Sequence, residues 1–277
     1  MANPYARSNG SIIIPINTTG GCLNFKSNFL QGCGNALMYL RFQGGMGPGT
    51  SAVVLDDVFE MQVLGCYFEH LDVDNGLLAI SSTGNSCNRV KVRDCGFKLI
   101  GSQNSGVYGR GNGINFLTCS DSEIIDTFVE SCGDLGIVLG GGENKVRGGF
   151  IDLNNVGIGV YGPHNYIQGT SVKLNNRTGI SVAGGAHDTY IGAGAKVMNN
   201  NQSDRAGEYG IKVEAGVKDL VVNDVTVQGP NHRGSIYLYN AAITGSISNC
   251  RLRDSEKIVD PHCLTTTSNT VSVAGLM

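Results

Sequence analysis

Residues 136–182 read GIVLGGGENKVRGGFIDLNNVGIGVYGPHNYIQGTSVKLNNRTGISV. In this stretch Gly136-Ile-Val-Leu returns as Gly157-Ile-Gly-Val and again as Gly179-Ile-Ser-Val. Gly113-Ile-Asn-Phe precedes these three, and Gly210-Ile-Lys-Val and Ser235-Ile-Tyr-Leu follow, with successive starts 23, 21, 22, 31 and 25 residues apart. A recurring period of this size marks a stack of repeated units, none of which can bury its apolar face alone.

Two further registers run inside the same period. Asn144-Lys-Val, Asn165-Tyr-Ile, Asp188-Thr-Tyr and Asp219-Leu-Val form one, with Asn88-Arg-Val and Ser122-Glu-Ile as earlier members. Ile151-Asp-Leu, Val172-Lys-Leu and Ala195-Lys-Val form the other. Each run places apolar residues two apart, the period of a strand with one face buried, and ends at Asn or Gly, which favour turns. Three strands in a coil of ~22 residues predict an all-β fold, a single-stranded right-handed parallel β-helix. The columns Asn144, Asn165, Asp188 and Asn154, Asn175, Asn199 are expected at its corners.

Before Asn88 the pattern is degraded but persists in Ala36–Phe42, Ala52–Leu55, Met61–Leu64, Cys66–Phe68 and Leu77–Ile80. The expected organisation is a lead, cap or attachment segment over 1–50, the β-helix over 51–253 and a C-terminal cap or tail over 254–277. Stretches 199–209 and 102–112 exceed the period and read as loops leaving the corners.

Composition narrows the function. Charged residues are 16% and hydrophobic residues 41% of the 277, which excludes a disordered chain. A net charge of −3 gives no footprint for nucleic acid, and the longest apolar stretches are too short for membrane insertion. The N-terminus has no basic segment followed by an apolar one, so no signal peptide is expected. The nine cysteines show no Cys-x-x-Cys spacing and read as reduced, small core residues. Gly157-x-Gly159-x-x-Gly162 lies inside the repeat, with no helix expected after it, so no nucleotide is implied. No cofactor is expected.

Four groups of side chains stand out. On the third strand of each coil, Glu130, Asp152, Lys173 and Lys196 are aligned as outward residues of successive coils. Neighbouring coils put Glu130 and Asp152 roughly 5 Å apart, near the spacing of a retaining glycosidase pair, and like charges so close separate into an acid and a base, so these two, assisted by Lys173 or Lys196, are the candidate catalytic residues. The plainer alternative is a solvated ladder in which Lys173 neutralises Asp152. Glu143, His164 and His187 lie on consecutive turns, a weak candidate for a divalent metal against the plainer reading of exposed turn residues. The Gly-Ile strands expose Asn115, Val138, Gly159, Ser181, Lys212 and Tyr237, with Tyr161, Glu214 and Tyr239 just after them. That small, mostly neutral face suits either subunit packing or stacking on a sugar ring, so Tyr161, Tyr237 and Tyr239, with Lys196 and Arg205, are the candidate substrate-binding residues.

The Asn and Gly-Ile ladder over Ala52–Arg253 resembles the pectate-lyase-like right-handed parallel β-helices, a family that includes polysaccharide lyases, mannuronan epimerases and bacteriophage tailspikes. Among these the chain looks most like the tailspikes, with free cysteines and no signal. That resemblance implies a homotrimer on a virion, assembled in host cytoplasm, that binds a host surface polysaccharide and, if catalytic, cleaves it, with other virion proteins meeting its N-terminal segment. Asp260-Pro261-His262 matches three letters of the epimerases' catalytic motif, though without that family's lead residues. The alternatives are a non-catalytic virion component, decoration or tail part, and a free lyase or epimerase acting on uronic-acid polymers.

Overall fold

The computed structural model describes residues 12–13, 23–26, 35–44, 47–84, 87–101, 110–202, 208–229, 235–239, 242–253 and 270–274. The described secondary structure is all strand, and the strands form three long parallel sheets of nine, ten and ten strands. Each coil visits them in the same order. The coil that begins at Leu135 runs through Leu135–Leu139 in sheet I, Lys145–Arg147 in sheet II and Phe150–Asp152 in sheet III, then re-enters sheet I at Val156–Val160. This is the right-handed parallel β-helix that the repeat predicts.

Strands of the first fifty residues belong to the same sheets: Leu23–Lys26 pairs with Ser51–Asp56, Ala36–Met38 with Gln62–Leu64, and Arg41–Gln43 with Tyr67–Leu71. At the other end Thr270–Ala274 pairs with Thr244–Ser248.

The core is a set of apolar columns. Ile114, Ile137, Ile158, Ile180, Ile211 and Ile236 pair in series along sheet I, and all are fully buried. Val146, Ile167 and Ile191 do the same in sheet II. Sheet III, after its first strand Ile12–Ile13, carries three inward phenylalanines, Phe42, Phe68 and Phe97, whose rings stack 4.6 and 4.4 Å apart, and continues with Val129, Ile151 and Val172. β-Branched and aromatic residues suit a pleated surface buried on one side, so propensity and packing agree.

Corners are closed by polar ladders. At the turn from sheet III to sheet I the Asn154 N–H donates to Asn175 Oδ1 at 2.9 Å, and the Asn175 N–H donates to Asn200 Oδ1 at 3.1 Å. Their amide groups donate in turn to the carbonyls of Val129 and Ile151. These bonds hold Leu153 and Leu174 in the left-handed region at φ 58° and 55°, where a leucine would not settle unaided. Gly157 is required beside them, because a Cβ there would lie 2.4 Å from the Gly179 carbonyl oxygen and 2.9 Å from the Asn175 amide.

Two column assignments shift by one residue. The third ladder member is Asn200, not Asn199, and the residue following Asn165 in the other ladder is Thr189, not Asp188. The six described cysteines, Cys66, Cys87, Cys95, Cys119, Cys132 and Cys250, are all free and buried, as small core residues are.

Candidate functional site

Two rows of side chains share the outer face of sheet III. Glu69, Lys98, Glu130, Asp152 and Lys173 occupy one row on five consecutive strands. Tyr67, Gly96, Phe128, Phe150 and Ser171 occupy the other, two residues earlier in the same strands and therefore on the same face. The repeat thus sets an aromatic row beside a charged one. Phe150 is 53% exposed, the one phenylalanine among the exposed large hydrophobic side chains of the described residues, and Tyr67 lies against the open surface of Gly96.

Electrostatics differentiate the two acids. Glu130 Oε2 is 3.2 Å from Lys98 Nζ, whereas Asp152 Oδ2 is 3.7 Å from Lys173 Nζ. Asp152 Oδ1 is buried and accepts no hydrogen bond. Burial raises the Asp152 pKa above the ordinary aspartate value and the Glu130 charge adds to that, while Lys173 and Lys98 pull the other way. Lys173 also lies over the Phe150 ring, 5.6 Å from its centroid, and so ties the two rows together.

Lys196 does not belong to the charged row. It pairs with Ser171, and the residue beyond Lys173 is Met198. The reason is local: the turn into this strand is Ala193-Gly194-Ala195, one residue longer than Gly169-Thr170 in the preceding coil. Lys196 instead extends the aromatic row past Ser171. Arg205 and Asp260-Pro261-His262 lie outside the described residues.

The tyrosines stand on sheet I. Asn115, Val138, Gly159, Ser181, Lys212 and Tyr237 pair in the order the sequence implies, but they are not all exposed: Val138 and Gly159 are buried, with Leu135 and Tyr161 against Gly159, and the other four are half-buried. Tyr161 folds back over Gly159, whose missing Cβ would meet its ring at 2.8 Å. Burial raises the Tyr161 pKa, and the Asp134 and Glu214 carboxylates raise it further. Tyr237 stacks on Tyr209 at 4.3 Å and meets Tyr239 edge-on at 6.2 Å. Tyr161 is three strands away from this group, and none of the three predicted tyrosines shares a sheet with Glu130 and Asp152.

Glu143 and His164 sit at successive corners, both left-handed, and the next residue of that column is Asp188. His164 Nδ1 lies 3.4 Å from Asp188 Oδ2. His187 is one residue out of line, and its Nδ1 accepts the Lys218 N–H at 3.3 Å. Among the described residues no group of three His, Cys, Asp or Glu side chains is placed to hold a metal ion.

Sequence reasoning did not single out Lys98, Tyr67, Phe128 or Phe150. The signal available was the alternation itself: once Val129 and Ile151 point inward, the residues on either side of each must point outward together.

No family model matches the sequence, and none of the curated proteins does. Solved structures do match. The chain is similar to the A-module of a mannuronan C-5 epimerase of Azotobacter vinelandii, at 12% identity and a TM-score of 0.61, covering 99% of this chain and 92% of that one. It is similar to the catalytic domain of an α-1,3-glucanase solved with nigerose, at 14% identity and a TM-score of 0.52, over 88% of this chain and 55% of that one. A tailspike protein of an Escherichia coli bacteriophage matches over 94% of this chain and 38% of its own at a TM-score of 0.45 and 14% identity. At such identities the likeness is one of fold, and the fold is the parallel β-helix.

Proposed function

We propose that the protein binds a polysaccharide along the outer face of sheet III and hydrolyses it between the Glu130 and Asp152 carboxyl groups. The observation that carries this reading is the exposed Phe150, with Phe128, in the row directly beside that acid pair. Aromatic faces stack on sugar rings, and a chain laid along the helix axis would pass both rows at once. The solved relatives in whose names a substrate is printed act on mannuronan and on α-1,3-glucan, both polysaccharides, which supports the substrate class.

In the proposed reaction Asp152, its pKa raised by burial, gives its proton to the glycosidic oxygen as the carbon–oxygen bond breaks. Glu130, one strand spacing away at about 4.8 Å, attacks the anomeric carbon as nucleophile. Water then displaces Glu130 and returns a proton to Asp152. Lys98 and Lys173 hold the charge of the ionised acids between steps.

The tailspike setting, a homotrimer facing a host surface polysaccharide from a virion, is the finer form of the proposal. Asn115 and Ser181, small neutral residues left half-buried on the outer face of sheet I, support close subunit packing there. Incubation with a panel of bacterial surface polysaccharides and uronans tests the activity, and light scattering on the same sample tests the trimer. Shortened chains without new unsaturated ends are expected. Unsaturated ends would indicate a lyase instead, and a monomer would remove the tailspike setting.

A further inference from the structure

A second feature lies away from these rows, where the turn from sheet I meets sheet II. A cavity of about 390 Å³ is lined by Glu60, Gln62, Arg89, Lys91, Asp121 and Glu123. Those residues come from three consecutive coils: Gln62, Lys91 and Glu123 pair in series on sheet II. Glu60, Arg89 and Asp121 are corner residues in the left-handed region. The volume lies in the range of small-molecule pockets, near its lower end.

Every charged group of the cavity has a partner. Arg89 bridges Glu60 at 3.1 Å and Asp121 at 3.3 Å, with its guanidinium 5.1 Å from the centre of the Phe59 ring. Glu123 lies 3.7 Å from Lys91 and, on its other oxygen, 3.7 Å from Arg147 of the following coil. The lining therefore holds three carboxylates and two cations, with Arg147 beyond it supplying a third; each charge is paired, and a charged ligand gains nothing without breaking a pair. The Arg89 pairs are exposed and the two Glu123 pairs are long, so the carboxylate oxygens and N–H groups retain capacity for other partners. Neighbouring hydroxyls on a ring match such a surface well: each donates to a carboxylate and accepts from a guanidinium or ammonium, and no ion pair is lost.

We propose that this cavity is a binding site for a neutral, polyhydroxylated ring, one or two residues of an uncharged glycan, with Arg89, Asp121 and Glu123 as its principal contacts. The site is independent of the reading of sheet III and stands or falls separately. On a polymer it would serve as an anchor on a different face from the acid pair.

The test is titration of the full chain with neutral glucose, galactose and N-acetylglucosamine oligomers, and with glucuronate and glucosamine as charged counterparts, followed by calorimetry and saturation-transfer NMR. Arg89→Gln and Glu123→Gln are compared with Phe150→Ala, and circular dichroism confirms the fold of each. Arg89→Lys, which keeps the charge but loses the fork, provides a second variant if Arg89→Gln is unstable. The expected result is binding of a neutral oligomer that Arg89→Gln and Glu123→Gln each weaken roughly tenfold or more, and that Phe150→Ala leaves unchanged. Binding that ignores both cavity variants, a preference for the charged sugars, or no binding of any neutral oligomer would overturn the proposal, as would loss in Phe150→Ala alone, which would assign the sugar to sheet III.

Discussion

Glu130 and Asp152 stand opposite one another on adjacent strands of sheet III, each with a lysine on its far side: Lys98 at 3.2 Å from Glu130 and Lys173 at 3.7 Å from Asp152. A purely structural ladder alternates its charges on successive strands, as Glu69, Lys98 and Glu130 do. Placing two acids next to one another breaks that alternation, and only one of the two is left with a buried, unbonded oxygen. Groups held at odds with stability concentrate at functional sites, which is why this pair anchors the proposed chemistry.

Asp152 should destabilise the fold at neutral pH. Its folded pKa is raised, first by burial and then by Glu130, so the native state holds the proton more tightly than the unfolded chain does. The cost is absent below the unfolded value of 3.8, grows as the pH rises towards the folded pKa and is constant above it. Asp152→Asn is therefore expected to melt at a higher temperature than the wild type at pH 7, with the gap closing as the pH falls. Melting curves across that range check this; a variant less stable at neutral pH would show that the Lys173 pair outweighs burial.

Lys173 lowers the Asp152 pKa, so its removal should raise it. If Asp152 supplies the catalytic proton, activity is lost as the pH rises through that pKa. Lys173→Met should then move the basic limb of the pH–rate profile to higher pH. An unmoved limb would mean that another group gives the proton.

Phe150→Ala removes an exposed ring that fills no core space. Affinity for the polysaccharide should fall about fivefold while the melting temperature stays within a degree or so, since stacking is worth about 1 kcal/mol and surface changes have little effect on stability. Equal loss of affinity and stability would make Phe150 a packing residue.

The asparagine ladder predicts a large effect from a small change. Asn175 is fully buried, accepts from the Asn154 backbone and donates to Ile151 and Asn200. Asn175→Ala strands several of those groups and should cost about 3 kcal/mol in urea unfolding. A cost under about 1 kcal/mol would mean that water takes over the bonds.

Where the coil length is constant, the sequence reveals the site. From Val129 to Ile151 to Val172 the spacing is 22 and then 21 residues, and the Glu130, Asp152 and Lys173 row follows from counting alone. From Val172 to Val197 it is 25, with the additions among Ala, Gly and His residues that carry no apolar marker, and there Lys196, Asn199 and Asp188 are each misplaced. Lys98 was hidden for a similar reason, since Phe97 and Val129 are 32 residues apart across the long stretch after Ile100. Phe128 and Phe150 were hidden differently: a phenylalanine beside an isoleucine reads as core until the strand direction is known. The three-dimensional split between the tyrosines on sheet I and the acids on sheet III depends on which run of each coil joins which sheet, and short runs with the same alternation do not encode that.

The central claim is tested most directly by comparing the wild type with Asp152→Asn and Glu130→Gln on whichever polysaccharide the wild type shortens, measuring both binding and new reducing ends. The account predicts that both variants bind as the wild type does and cleave about 100-fold more slowly or worse. Cleavage at the wild-type rate by either variant would contradict it.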